Sequence, residues 1–390
     1  MNKRPPCEVA DIIRVHGKQF LDQHSKLLDY GHLRVMHAIE NCRTAILGGH
    51  VDACDRCGHR VISYNSCRNR HCPKCQGSAR ERWLADRSSE LLPVPYFHVV
   101  FTMPQQLAPL ALQNKRVVYG ILFQAAAETL LEVAATPKHL GAEIGFLAVL
   151  HTWGQQMQHH PHLHCVVPGG GLSPGHTAWV HSRNQFLLPV KVLSRLFRGK
   201  FLAFLRKAQR KGKLHFHGAL AAFQRGPGFE GLLNQAYGCE WVVYTKAPFG
   251  GPEQVLRYLS RYTHRVAISN RRILSMADGN VTFRWKDYAH GSKHKVSTLA
   301  ACEFLRRFFL HVLPRGFVRI RHFGFLANRQ LKVLLEICRS RLPQASLVFA
   351  GIETGTGLAL LVCPACHRGH LRVIERMSGP LVRFVFVDSS

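Results

Sequence analysis

Two imidazoles separated by a single apolar residue, His162 and His164, lie in the run QQMQHHPHLHCVV of residues 155–167. On an extended strand side chains alternate, so both rings face one way while Leu163 turns to the opposite face, where a core would take it. Converging imidazoles form a metal-ligand pair. They hold Mg²⁺ or Mn²⁺ only loosely, so a third, oxygen-bearing ligand is expected. Gln155, read as lying on the preceding strand across a short hairpin, is the candidate, with His151 and His264 as competitors. In a chain with 25 histidines such a triplet also arises by chance, and the metal reading therefore needs a second element beside it.

That element is RYLSRYTHR, residues 257–265. As a helix it sets Tyr258 and Tyr262 four residues apart on one face, with Arg257, Arg261 and Arg265 at neighbouring positions. A phenol, with an ordinary pKa near ~10, is a poor nucleophile at neutral pH. It needs a cation beside it, an electrophile polarised by a metal, or both. The alternative, an aromatic pair packed into a core, is seldom interleaved with so many arginines.

The cysteines suggest a separate metal site. Five of the thirteen, Cys54, Cys57, Cys67, Cys72 and Cys75, crowd into one short segment. The knuckles Cys54-x-x-Cys57 and Cys72-x-x-Cys75 each present two thiolates from a tight turn and together complete a tetrahedral Zn²⁺ shell. Cys67 and His71 lie between them as substitutes or as part of a second site. Arg56, Arg60, Arg68, Arg70, Lys74, Arg80 and Arg82 thread this region and would offer donors to phosphates. The alternative is a structural zinc with a solvated basic face. Near the end, Cys363-Pro-Ala-Cys366 shows no obvious second knuckle: either His367 or His370 completes a small site, or the motif is a degenerate ribbon.

Lysine and arginine number 52 against 23 aspartates and glutamates, a formal net charge of +29. Such a surface suits polyanions, because each neutralised phosphate releases counterions. Acidic membranes are the rival, but the sequence offers no amphipathic anchor. No run approaches the ~18 uninterrupted apolar residues of a membrane helix, and no leader pattern opens the chain, which reads as cytoplasmic. An odd number of cysteines, partly scattered, does not make a secreted disulfide framework.

These residues must be positioned by elements that periodicity outlines. Helices precede the cysteine cluster over residues 9–47, and a basic helix follows over 78–92, ended by Pro93 and Pro95. Strands are expected at 96–103, 144–153, 162–167 and 241–245, and around Val281, Phe283 and Trp285. Helices are expected at 113–134, 190–210, 252–264 and 299–312. Without strict alternation of strand and helix, the fold class is α+β with a mainly antiparallel sheet. The boundaries divide the chain into a helical and zinc-binding, DNA-gripping part (1–92), a nuclease part (93–300) and a C-terminal helical part (301–390).

At these motifs the sequence resembles the HUH endonuclease superfamily. More narrowly it resembles the two-tyrosine transposases of the IS-91 insertion sequence family, through CRNRHCPKC (67–75), HHPHLHCVVPGGG (159–171), YLSRYTHRVAISNRR (258–272) and GFVRIRHFGFLANR (316–329). The resemblance implies an antiparallel sheet flanked by helices, with the histidines on a central strand. It implies rolling-circle-like transposition, in which one tyrosine attacks the scissile phosphate to give a 5′-phosphotyrosine and a free 3′-hydroxyl while the second serves the next cleavage or strand transfer. Tyr258 and Tyr262 would then be nucleophiles, His162 and His164 metal ligands, and the arginines would neutralise phosphate. The implied partner is single-stranded or hairpin DNA from the ends of its own element, with aromatics such as Trp153 or Phe249 stacking bases. Oligomerisation is left open. A non-catalytic zinc-dependent DNA-binding protein, or a replication initiator or relaxase, is the competing reading.

Overall fold

The computed structural model describes residues 5–183, 186–249, 266–288, 290–327, 329–343 and 361–379. Their contacts divide the chain into two units, each drawn from separated stretches of the sequence. The first contains Met1–Ala79, Ile268–Val312 and Gly351–Ser390, the second Arg80–Ala267 and Leu313–Ala350.

The second unit is built around a five-stranded sheet. Its strands β3 (Tyr96–Thr102), β4 (Gly145–Trp153), β5 (His159–Pro168), β8 (Val243–Phe249) and β12 (Ile320–Gly324) follow the order β12-β4-β5-β3-β8. Every neighbouring pair is antiparallel. β5 is therefore central, as the resemblance implies.

Alternation gives the sheet two different faces. On one, Phe97, Val99 and Phe101 of β3, Phe146, Ala148 and Leu150 of β4, and Leu163, Cys165 and Val167 of β5 join a single core. The helices α5 (Lys115–Ala135), α6 (Val190–Arg210) and α7 (Gly226–Gly238) supply the rest of that core. α6 buries Leu193, Phe197, Phe201, Leu202, Leu205 and Ala208, a stripe three to four residues apart, and keeps its lysines and arginines off it. α5 is apolar on nearly every side and long enough to cross a membrane, but its most apolar window is 67% buried inside the protein, the pattern of a core helix. On the opposite face Tyr96, Leu147, Val149 and Val166 pack with Leu335 and Cys338 of α9 (Leu331–Ser340). This second apolar patch adjoins the histidines, since Val149 pairs with His164.

The first unit begins with α1 (Val9–His24) and α2 (Tyr30–Glu40). Glu8 caps α1 reciprocally with Asp11, satisfying donors that the first turn leaves open. A three-stranded antiparallel sheet follows, β13-β1-β2, from β1 (Gly49–Cys54), β2 (Arg60–Tyr64) and β13 (Leu371–Met377). The meander β9 (Ile273–Ala277), β10 (Asn280–Asp287), β11 (Lys293–Ala300) leads into α8 (Ala301–Phe309), whose Phe309 stacks on Phe20 of α1 at 5.5 Å. The basic helix α3 (Gln76–Ser88) crosses the chain boundary between the units. Mixed helices and antiparallel sheets make the fold α+β, as composition and periodicity led us to expect.

Candidate active site

The histidine strand is ordered as alternation requires. Leu163 is fully buried in the core, while His162 and His164 share the other face. Register adds a third imidazole. β4 pairs His151 directly with His162 and Val149 with His164, so His151 stands on the same face. The ligand nitrogens of His151, His162 and His164 all lie within 4.8 Å of one another. Ring centroids are 4.4 Å apart for His151 and His164, and 4.8 Å for His162 and His164. His151 is 3% exposed and His164 8%, so water competes poorly for the space between them.

Gln155 takes a different place from the one expected. It lies in the turn between β4 and β5 rather than on the strand, in a loop closed by the Gly154 N–H donating to the Gln158 carbonyl. His151, named as a competitor, joins the two strand histidines. A register shift between His151 and Trp153 places the pairing, and alternation within one strand cannot reveal such a shift.

Neighbours set the orientation of the rings. Nδ1 of His162 lies 2.7 Å from the carbonyl of His160, to which it donates. Nδ1 of His164 lies 2.8 Å from Nε2 of His98 on β3, and the two rings are parallel within 9° at 5.0 Å. Burial, then the charges of Lys246 and His162, push the His98 pKa down to about 4. His98 is thus neutral, and with His164 ligating through Nε2 its Nδ1–H would donate to His98 Nε2. Engaging Nδ1 in this way presents Nε2 toward a metal, and ligating histidines ordinarily have such outer partners. Sequence reading missed His98; the only available signal was an isolated histidine in the apolar strand YFHVVFT. Trp153 stacks on His151 at 4.7 Å and 19°. His159, on the core side of β5, is an ordinary buried histidine hydrogen-bonded to the Tyr119 hydroxyl at 2.8 Å.

The cysteines fall into groups different from the expected one. Cys54 and Cys57 are not brought to Cys72 and Cys75. Cys72 and Cys75 join Cys42 and Cys67, whereas Cys54 and Cys57 join Cys363 and Cys366. Knuckles close in sequence had suggested a single shell, but β1 and β2 carry the first knuckle to the C-terminal strand instead. In the first group the sulfurs of Cys42 and Cys75 are 3.5 Å apart and those of Cys67 and Cys75 3.6 Å. Four sulfurs at about 2.3 Å from one tetrahedral ion would be about 3.8 Å apart, so the donor set fits zinc. Thiols of Cys42, Cys67 and Cys72 pull the Cys75 pKa far down, and those of Cys67 and Cys72 bring Cys42 to about 7. Cys42, Cys72 and Cys75 are buried. Cys42 went unnoticed in the sequence because it ends a helical segment well ahead of the cluster.

Among the expected phosphate-binding residues, Arg68 is exposed with a left-handed backbone (φ 52°) beside Cys67, and Arg70 is half-buried, its pKa lowered by burial. Lys74 is paired instead with buried Glu8 at 2.6 Å. Tyr258, Tyr262, Arg257, Arg261 and Arg265, with the helix expected over 252–264, lie outside the described residues.

A strongly basic chain that joins four-thiol groups to a sheet with clustered imidazoles has the makings of a metal-binding protein that works on nucleic acid. Residues 12–103 match the family described as "Transposase zinc-binding domain", and residues 145–332 match the family described as "Putative transposase". The chain is 56% identical over 382 residues to the "Putative transposase y4qJ" of Sinorhizobium fredii (strain NBRC 101917 / NGR234), covering 95% of this chain and 96% of that protein. It is 29% identical over 309 residues to the "Transposase for insertion sequence element IS801" of Pseudomonas savastanoi pv. phaseolicola, covering 78% of this chain and 70% of the relative. No solved structure matches it. The chain belongs to the IS-91 type of transposases, enzymes that cut and recombine DNA, and carries that family's N-terminal zinc-binding domain.

Proposed function

We propose that this transposase cleaves and rejoins single-stranded DNA at the ends of its own mobile element through a 5′-phosphotyrosine. The phenol oxygen of Tyr258 or Tyr262 forms a bond to the scissile phosphorus. The bond from phosphorus to the 3′-oxygen breaks, and that oxygen leaves as a free 3′-hydroxyl. The second tyrosine repeats the attack at the next junction, or the 3′-hydroxyl reverses the first step on a new strand. The phosphotyrosine conserves bond energy, so no nucleotide is consumed.

The observation that carries this reading is the convergence of His151, from β4, with His162 and His164 of the central strand on one face of the sheet. These residues would hold a divalent ion, and three imidazoles fit Mn²⁺ better than Mg²⁺. Such an ion polarises a phosphate oxygen and offsets the charge that develops on it. His98 and the His160 carbonyl keep two of the rings aimed. Arg257, Arg261 and Arg265 would neutralise phosphate, and Arg68 with Arg70 would grip flanking DNA. Trp153, lying flat against His151, is the candidate platform for a base.

The test is incubation of the full chain and Mn²⁺ with a labelled single strand from the element's end. A protein-linked DNA product is expected. Binding without any adduct would favour a non-catalytic zinc-dependent DNA-binding protein. Cleavage only at a replication or transfer origin would favour an initiator or relaxase.

A further inference from the structure

The knuckle Cys363-Pro-Ala-Cys366 lies beyond both stretches that match transposase families, 12–103 and 145–332. We infer that it closes a second zinc site with Cys54 and Cys57, so that the zinc-binding domain is completed by the C-terminal part of the chain and holds two thiolate-bound zinc ions.

The sulfurs support this directly. Cys54 lies 3.7 Å from Cys366, and Cys57 lies 3.7 Å from Cys363. That spacing matches the edge of a tetrahedral zinc–thiolate shell, about 3.8 Å, and far exceeds the ~2.05 Å of a disulfide. All four sulfurs lie within 4.8 Å of one another.

Backbone geometry supplies a second, independent argument, because the two knuckles are built alike. After Cys57, Gly58 adopts a left-handed backbone (φ 71°), and after Cys366, His367 does the same (φ 54°). The Gly58 N–H donates to the Cys54 carbonyl at 3.1 Å, and the His367 N–H to the Cys363 carbonyl at 3.0 Å. Each knuckle also directs amides at its sulfurs. Arg56 and Cys57 donate to Cys54 Sγ at 3.4 and 3.5 Å, Ala365 donates to Cys363 Sγ at 3.4 Å, and Gly369 donates to Cys366 Sγ at 3.3 Å. Amides aimed at sulfur stabilise thiolates, the form that binds metal. A non-glycine residue is disfavoured in the left-handed region, so His367 is held there by the turn around it.

The strand pairing explains why these distant segments meet. β13 runs antiparallel to β1 from Gly49 opposite Met377 to Cys54 opposite Leu371. Asp55 accepts from the His370 N–H at 2.9 Å, and its own N–H donates to the His370 carbonyl at 3.0 Å. Gly369 approaches so closely that a Cβ there would stand 2.5 Å from Cys54 Sγ. Neither His367 nor His370 belongs to the four-ligand group.

The two thiol groups differ in shielding: Cys54 and Cys363 are buried, Cys366 half-buried and Cys57 exposed, whereas Cys42, Cys72 and Cys75 are buried and Cys67 half-buried, with none exposed. The ion at the C-terminal knuckle is therefore the first to be lost.

The experiment counts zinc released from the purified full chain by a thiol-titrating mercurial. Two ions per wild-type chain are expected, one in C363S/C366S and two in H367A/H370A. One ion in the wild type, or two in C363S/C366S, would overturn the inference. Should the serine variant fail to fold, alkylation of the wild type followed by mass spectrometry decides. Limiting chelator is expected to expose Cys57, Cys363 and Cys366 together while Cys42, Cys72 and Cys75 stay protected. Rapid alkylation of Cys363 and Cys366 in the zinc-loaded protein would refute the site. Neither readout involves DNA cleavage, so the result is separable from the tyrosine chemistry.

Discussion

Replacing His98 by phenylalanine tests whether the imidazole cluster is a built metal site. Phenylalanine keeps a flat ring against His164, where the two rings now lie 5.0 Å apart and nearly parallel, but removes the nitrogen, 2.8 Å from His164 Nδ1, that would accept its proton when Nε2 holds a metal. His164 is only 8% exposed, so its N–H loses a partner where water reaches it poorly. An unsatisfied buried donor costs about 1–3 kcal/mol, and loss of an outer partner ordinarily weakens metal binding about 10- to 100-fold. The two ranges agree, since each tenfold is about 1.4 kcal/mol. We expect H98F to weaken Mn²⁺ binding about 10- to 100-fold in a paramagnetic resonance titration, with strand cleavage largely restored at saturating Mn²⁺ and thiol-bound zinc unchanged. Glutamine, which can accept through its amide oxygen, should recover much of the affinity. Affinity of H98F within about twofold of wild type would refute the reasoning.

Further predictions follow from the same geometry. Alanine at His162 and His164 should abolish metal-dependent cleavage while the zinc released by mercurial stays constant; loss of zinc in that variant would mean that the imidazole and thiol sites are coupled. L163A, at a fully buried core position, should destabilise the second unit by about 2–5 kcal/mol in denaturant titration. G369A should release the zinc at the C-terminal knuckle while the Cys42 group keeps its own, because the new methyl meets Cys54 Sγ. Glu303, held down to about 2 by Arg306 and then Arg307, contributes stability that is present above the unfolded carboxylate range near ~4.3 and is lost as pH falls toward 2. Wild type should therefore lose stability more steeply than E303Q between those limits, and parallel melting curves would contradict the pairing.

What the sequence revealed, and what it hid, follows from the range of the interactions. α6 was legible to the residue because its apolar stripe and flanking proline are local, and the facing of His162, Leu163 and His164 was legible because strand alternation is local too. His98 was hidden, and His151 stayed one of three candidates, because both depend on the register between strands, including a bulge. The cysteine partners were hidden more deeply. Cys54 meets Cys366 across 312 positions, and proximity along the chain favoured the wrong pairing of knuckles. β12 and β13 escaped notice for a related reason: IRHFG and LRVIERM are short and charged, and become strands only by adding to an existing edge. Likewise the basic residues around the thiols read uniformly as phosphate donors until Lys74 was found paired with Glu8.

The central claim is that a tyrosine of the arginine-rich segment becomes joined to DNA. Its most direct test is peptide mapping of the covalent product formed on a single strand with Mn²⁺, beside the Y258F/Y262F variant. The account predicts DNA attached through its 5′-phosphate to Tyr258 or Tyr262, with no adduct but nearly intact DNA binding in the double variant. An adduct that persists in that variant, or attachment at any other residue, would contradict it.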